Sequence, residues 1–195
     1  SSLICSPRRP ARAPRGAGRR RSRPARRPPS PVEDPDADPV AFARLILLRA
    51  LAAAPRTEAQ LRERLRSKGV PDGVAEHLLD RFTDLGYVDD EAFAHAWVHA
   101  RHRGKGLGRS AVRRELQSRG IADEVLAEAL DSITADSERE QAREFAIRRA
   151  RRLTGLEASV VHRRVTAALM RRGYGWGLSN SVAREVLGQD EGLSH

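Results

Sequence analysis

Leu65-Arg66-Ser67-Lys68-Gly69-Val70 returns as Leu116-Gln117-Ser118-Arg119-Gly120-Ile121 and again as Leu169-Met170-Arg171-Arg172-Gly173-Tyr174. The three glycines stand 51 and 53 residues apart, and their flanks keep step. Eight residues upstream of each are Leu61, Val112 and Val165, and five downstream are Val74, Val125 and Leu178. Nine downstream come Leu78, Ala129 and Val182, and thirteen downstream Phe82, Ile133 and Val186. Phe42, Phe93 and Phe145 open the three copies. A period near 50 residues is the mark of a tandem array of one structural unit. Such arrays present extended surfaces suited to large partners rather than a buried catalytic pocket.

Within each copy the text is helical. Phe42, Leu45 and Ile46 make an i, i+3, i+4 stripe, and Pro55 ends that segment. Thr57-Glu58-Ala59-Gln60 is a capping box that starts a second helix, and Gly69 is its natural left-handed stop. Pro71 suits the first turn of a third helix, whose expected core face is Val74, Leu78, Phe82 and Leu85, with Gly86 closing it. The second copy starts at Asp89-Asp90-Glu91 and carries an expected core stripe of Phe93, Ala96, Trp97 and Ala100. No stretch alternates strictly, as a half-buried strand would. The expected fold is therefore all-α: three tandem three-helix repeats forming an elongated curved array behind a disordered Arg/Pro-rich tail. The boundaries read as tail 1–39, repeats 40–88, 89–135 and 136–188, and a frayed C-terminus 189–195.

Charge is uneven. The net +10 divides between residues 1–40, with ten arginines against four acids, and the remainder, with 26 basic and 22 acidic residues. Positive charge of this kind points to phosphate backbones or acidic protein surfaces as partners. The acids Glu33, Asp34, Asp36 and Asp38 that close the tail suit the N-terminus of the first helix. Cys5 is the only cysteine, so a disulfide scaffold and thiol catalysis are excluded and a reducing cytosol fits. There is no apolar run long enough for a membrane helix or a signal segment. Met170 is the only methionine, and the true N-terminus is expected to be missing or misassigned.

Four clusters could carry chemistry. Asp89, Asp90 and Glu91 could bind a nuclease metal, but their place at a helix start makes them a cap. His95, His99 and His102 share a helix face at metal-ligand spacing, yet no fourth ligand accompanies them, and they read as an exposed polar face. Gly104-Lys105-Gly106-Leu107-Gly108 lacks the Ser or Thr of a phosphate loop and follows a helix rather than a strand, so it reads as a flexible linker. Runs of arginine remain. The candidate contact residues for an acidic partner or DNA are Arg101, Arg103, Lys105, Arg109, Arg113 and Arg114 in the second copy and Arg148, Arg149, Arg152, Arg171 and Arg172 in the third. Exposed aromatics able to stack on single-stranded bases are scarce, with Tyr174 and Trp176 the plausible ones. No catalytic residues, metal site or cofactor site are identified, and the chain is not read as an enzyme.

Gly86-Tyr87-Val88-Asp89-Asp90-Glu91-Ala92-Phe93-Ala94, followed by Trp97-Val98 and the basic 101–109 stretch, resembles the RecX family of recombination regulators. So do Arg113-Arg114-Glu115-Leu116 with Gly120-Ile121, and Arg171-Arg172-Gly173-Tyr174. The resemblance spans about residues 41–187, in order and spacing; the Arg/Pro tail departs from it. It implies tandem three-helix repeats, cytoplasmic location and a role in regulating DNA repair, recombination and the SOS response. It further implies binding to the RecA recombinase filament on DNA, with inhibition of its ATPase and strand exchange. A monomer with weak, non-specific affinity for single-stranded DNA and no membrane association is the matching expectation. The alternative is a helix-turn-helix transcriptional regulator that reads one short duplex sequence.

Overall fold

The computed structural model describes residues 38–191, and among these the chain is helical without a strand. The expected disorder of the tail falls, except for its last two residues, outside the described part. Those two already belong to the first helix: Asp38 is its N-cap, accepting from the amides of Val40 and Ala41 at 3.1 and 2.9 Å, and Pro39 is its first residue.

The first unit contains α1 (Pro39–Ala53), α2 (Glu58–Arg66) and α3 (Asp72–Asp84); the second α4 (Asp90–Lys105), α5 (Arg109–Gln117) and α6 (Asp123–Asp131). The third contains α7 (Ala135–Ala150), α8 (Ala158–Arg171) and α9 (Trp176–Glu191). The last helix runs through Gly188 to Glu191.

The repeated hexapeptide is one helix stop used three times. Gly69, Gly120 and Gly173 have φ of 75, 77 and 89°. The next residue's amide bonds back to the leucine four positions before the glycine: Val70 to Leu65, Ile121 to Leu116 and Tyr174 to Leu169, at 3.2, 3.3 and 3.3 Å. This closure satisfies carbonyls that a helix end otherwise orphans. It also turns Val70, Ile121 and Tyr174 into the core of their units, where each is buried.

Each unit has its own apolar core. Leu47, Leu61, Leu65, Leu78 and Leu79 centre the first; Val98, Val112, Leu116, Leu126 and Leu130 the second; Ala142, Ala146, Val165, Leu169 and Val182 the third. Truncating one of these leucines to alanine costs about 2–5 kcal/mol in comparable cores. The units instead meet through a repeated polar clamp. In the first two units the first residue of the middle helix gives its amide to a carboxylate from the next unit: Glu58 to Asp90 at 3.0 Å, and Arg109 to Glu138 at 2.8 Å. The residue before it grips the carbonyl preceding the next unit's glycine: the Thr57 hydroxyl donates to Arg119 at 2.7 Å, and the Gly108 amide to Arg172 at 2.9 Å.

Two expected core stripes need correction. Leu85 lies past the end of α3, so helical periodicity no longer carries it inward, and it is exposed. On α4 the buried positions are Ala94, Val98 and His102, whereas Ala96 and Ala100 are exposed and Phe93 and Trp97 half-buried. Two interleaved stripes compete on that helix, and the one with the polar residue wins. The His102 ring takes up the loop carbonyl of Leu107, with Nδ1 to O 2.9 Å, which partners one of its two buried nitrogens; Nε2 has no partner among the described residues. The three histidines therefore do not form one exposed face: His95 and His99 are outside and His102 is inside.

Candidate functional site

The C-terminal end of α4, the outer face of α7 and the turn before Gly173 converge on a cleft of about 370 Å³. Gly106 ends α4 in the left-handed conformation, with φ 60°, so Arg103 and Lys105 project beside α7. α7 contributes Arg148 and Arg149, and the turn that follows contributes Arg152. Arg172 reaches in from the third unit's helix stop. Its guanidinium lies 4.2 Å from the Phe145 ring centroid and donates to the carbonyls of Lys105 and Gly106 at 2.5 and 3.1 Å. Six cations thus share one concavity with a single carboxylate, Glu144, which is paired with Arg148 at 3.1 Å. Arg103, Lys105 and Arg152 make no ion pair among the described residues. The Arg149 Nε is buried without a hydrogen-bond partner there. Part of this charge answers the negative ends of α4 and α7, whose last turns carry Arg103, Lys105, Arg148 and Arg149.

The glycine loop beneath the cleft is not the flexible linker expected from its composition. Gly104 and Lys105 are helical, while Gly106 and Gly108 are buried. The Gly106 carbonyl accepts from the Tyr174 hydroxyl at 3.0 Å as well as from Arg172. Gly108 packs so tightly on the 173–174 backbone that a Cβ would lie 2.5 Å from the Gly173 carbonyl. Composition suggested freedom; a close approach between backbones is what the glycines permit. Tyr174, considered as a base-stacking residue, is buried in this clasp, and burial pushes its phenol up to about 12, so it stays a neutral donor. Trp176 is 65% exposed.

The other candidate cations lie apart. Arg101 stands over the Trp97 ring at 4.1 Å, with its Nε 2.8 Å from Glu115 Oε2. Arg109 pairs with Asp131 at 2.9 Å and donates to the Ile133 carbonyl at 3.3 Å. These two arginines stitch the second unit together. Arg113 is half-buried and Arg114 exposed on α5, and Arg171 is exposed outside the cleft lining. Arg119, which sequence reasoning passed over, stacks on Trp97 at 3.9 Å. Its adjacency to Gly120 marked it as a turn residue, and no local pattern announces a contact across 22 positions.

The acids at the second unit's start act as caps. Asp89 accepts from the Ala92 amide at 2.7 Å, and Asp90 caps α2 of the preceding unit. Burial raises the Asp90 carboxyl above the usual range despite that bond. No group of three or more His, Cys, Asp or Glu among the described residues is arranged to hold a metal. No described helix is long and apolar enough to cross a membrane.

Models of the first, second and third three-helix domains of RecX match residues 43–82, 89–130 and 136–182. The regulatory protein RecX of Streptomyces coelicolor is 40% identical over 159 residues, covering 82% of this chain and 84% of that protein. That of Thermobifida fusca is 43% identical over 160 residues, covering 82% and 86%. In solved structures, RecX from Lactobacillus salivarius superposes with a TM-score of 0.71 at 19% identity, over 77% of this chain and 97% of that one. Domain models matched in order along most of the chain, relatives with the same name over four-fifths of it, and a shared fold lead to one conclusion: the chain belongs to the RecX family of regulatory proteins.

Proposed function

We propose that this protein binds the RecA recombinase filament on DNA and restrains its ATPase and strand exchange, acting in the cytoplasm as a regulator of recombination and repair without bond chemistry of its own. The observation that carries the reading is the six-cation cleft between the second and third units. Of its six cations only Arg148 pairs with an internal acid, Glu144, and the cleft lies on the surface of an open array. A phosphate backbone is the complementary ligand, and phosphate contacts release counterions. If Arg103, Lys105, Arg148 and Arg152 each meet a phosphate of single-stranded DNA, the slope of log affinity against log salt should be about −3. Arg101 and Arg109 drop out of the proposed contact set because their guanidiniums hold the second unit together. Arg113, Arg114 and Arg171 lie on its flanks.

The test is recombinase ATPase on single-stranded DNA, titrated with wild type and with a Lys105/Arg148/Arg152→Ala triple variant whose melting is unchanged. Inhibition should grow with the molar ratio to recombinase and weaken by roughly tenfold in the variant, since several phosphate contacts are lost together. Absence of inhibition by wild type at every ratio would remove the reading. Tight binding to one short duplex sequence would put the transcriptional alternative in its place.

A further inference from the structure

The half-buried stripe on α4, whose Phe93 and Trp97 pack against the edge of the second unit's core, lines a second cleft at the junction of the first and second units. Phe93 and Trp97 form its floor together with Leu51, Ala54 and Tyr87, and it encloses about 480 Å³. Ala92, Ala96 and Ala100 run along its edge, all exposed, so nothing bulky keeps another backbone away. Tyr87 is 62% exposed. An apolar concavity with half-buried aromatics is the form that accepts a large apolar side chain from a partner.

The charges around it define the partner further. The one carboxylate that lines it, Asp89, accepts from the Ala92 amide, and Glu115 is engaged by the Trp97 indole N–H at 2.8 Å and by Arg101. Two guanidiniums are left without an acid. Arg56 at the lip makes no ion pair among the described residues, and Arg119 has only the Glu115 carbonyl at 3.3 Å and the Trp97 ring. A stacked base is a poor occupant, because Arg101 and Arg119 lie over the Trp97 ring and Phe93 lies nearly parallel to it at 5.6 Å. We propose that this cleft docks a protein segment presenting a large apolar side chain flanked by carboxylates. Resting on the filament reading above, that segment belongs to the protein of the filament. The chain then holds DNA at one junction and protein at the other.

The test uses the full chain with Ala96→Arg, which fills the cleft from an exposed helical position, and separately Arg56→Glu, which reverses the lip charge. Three quantities are measured: inhibition of recombinase ATPase, affinity for a labelled single-stranded oligonucleotide, and sedimentation of the free protein. Each variant should inhibit about tenfold more weakly while binding the oligonucleotide within twofold of wild type. The Lys105/Arg148/Arg152→Ala variant should lose both. Undiminished inhibition by Ala96→Arg and Arg56→Glu, with wild type active, would overturn the cleft proposal and leave the filament reading standing. A wild-type dimer that Ala96→Arg dissociates would also overturn it, by making the cleft a contact between copies. Wild type without any inhibition would remove the filament reading, and this partner with it.

Discussion

At the first junction a side chain makes the bond that backbone makes at the second. Thr57 uses its hydroxyl to reach the Arg119 carbonyl, while Gly108, at the same place in its unit, uses its amide to reach that of Arg172. The substitution of glycine for threonine lets the third unit press closer. Added Cβ atoms would lie 2.4 Å from the Ala111 amide at Gly173 and 2.4 Å from the Ala59 methyl at Gly120. The surfaces diverge accordingly. The close junction gathers six cations over a clasped loop, whereas the looser one opens onto aromatic and alanine side chains. A repeat thus need not repeat its surface: one clamp, built from helix ends, holds units whose exposed faces are free to differ.

The largest effects should come from the two equivalent glycines at the junctions, Gly173 and Gly120, with Gly69 as their reference. All have left-handed φ, so any alanine there carries roughly 1–2 kcal/mol of backbone strain. Gly173→Ala adds a clash with backbone, Gly120→Ala a clash with one methyl, and Gly69→Ala nothing, since no atom lies within 4 Å. Overpacking of this kind costs about 1–3 kcal/mol more. Thermal unfolding should rank Gly173→Ala as most destabilised, then Gly120→Ala, then Gly69→Ala. Ala59→Gly should rescue Gly120→Ala alone. Equal losses at all three would show that the junctions do not depend on close approach.

Thr57→Ala should come next. The buried hydroxyl caps α2 through the Gln60 amide at 3.2 Å and also donates across the junction, so its removal should cost about 2 kcal/mol, a cap plus a buried hydrogen bond. Thr57→Ser should retain nearly all of it in denaturant unfolding. If alanine and serine behave alike, the first junction is held by something other than this hydroxyl.

The smallest effect should be a pH dependence confined to the first junction. Burial raises Asp90, so the folded state holds its proton more tightly than the unfolded chain does. Stability from this group is present at low pH and lost as pH rises from about 4 through the raised value. Asp90→Asn keeps an oxygen for the Glu58 amide and cannot ionise. Its stability relative to wild type should therefore improve from pH 4 to pH 7. A constant difference across that range would mean that Asp90 titrates as it does in the unfolded chain.

The helices and their stops could be read from residues 38–191 because they are local. A glycine four residues after a leucine, a Thr-x-x-Gln box or an aspartate before an apolar run needs only its own neighbours to fix a helix end. What failed depended on contacts that the local pattern does not contain. α4 carries two apolar stripes one residue apart, and periodicity favours the one without a histidine; only the Leu107 carbonyl supplied by the fold makes burial of His102 acceptable. The Gly104–Gly108 segment reads as slack until the third unit closes on it. The arginines show the same division. Sequence alone determined that the second and third units are rich in cations, since charge is a property of composition. Which of them are spent on Glu115 and Asp131 and which six share a cleft was decided by the packing of one unit on the next, because an ion pair or a concavity depends on distances between side chains that the chain order does not contain.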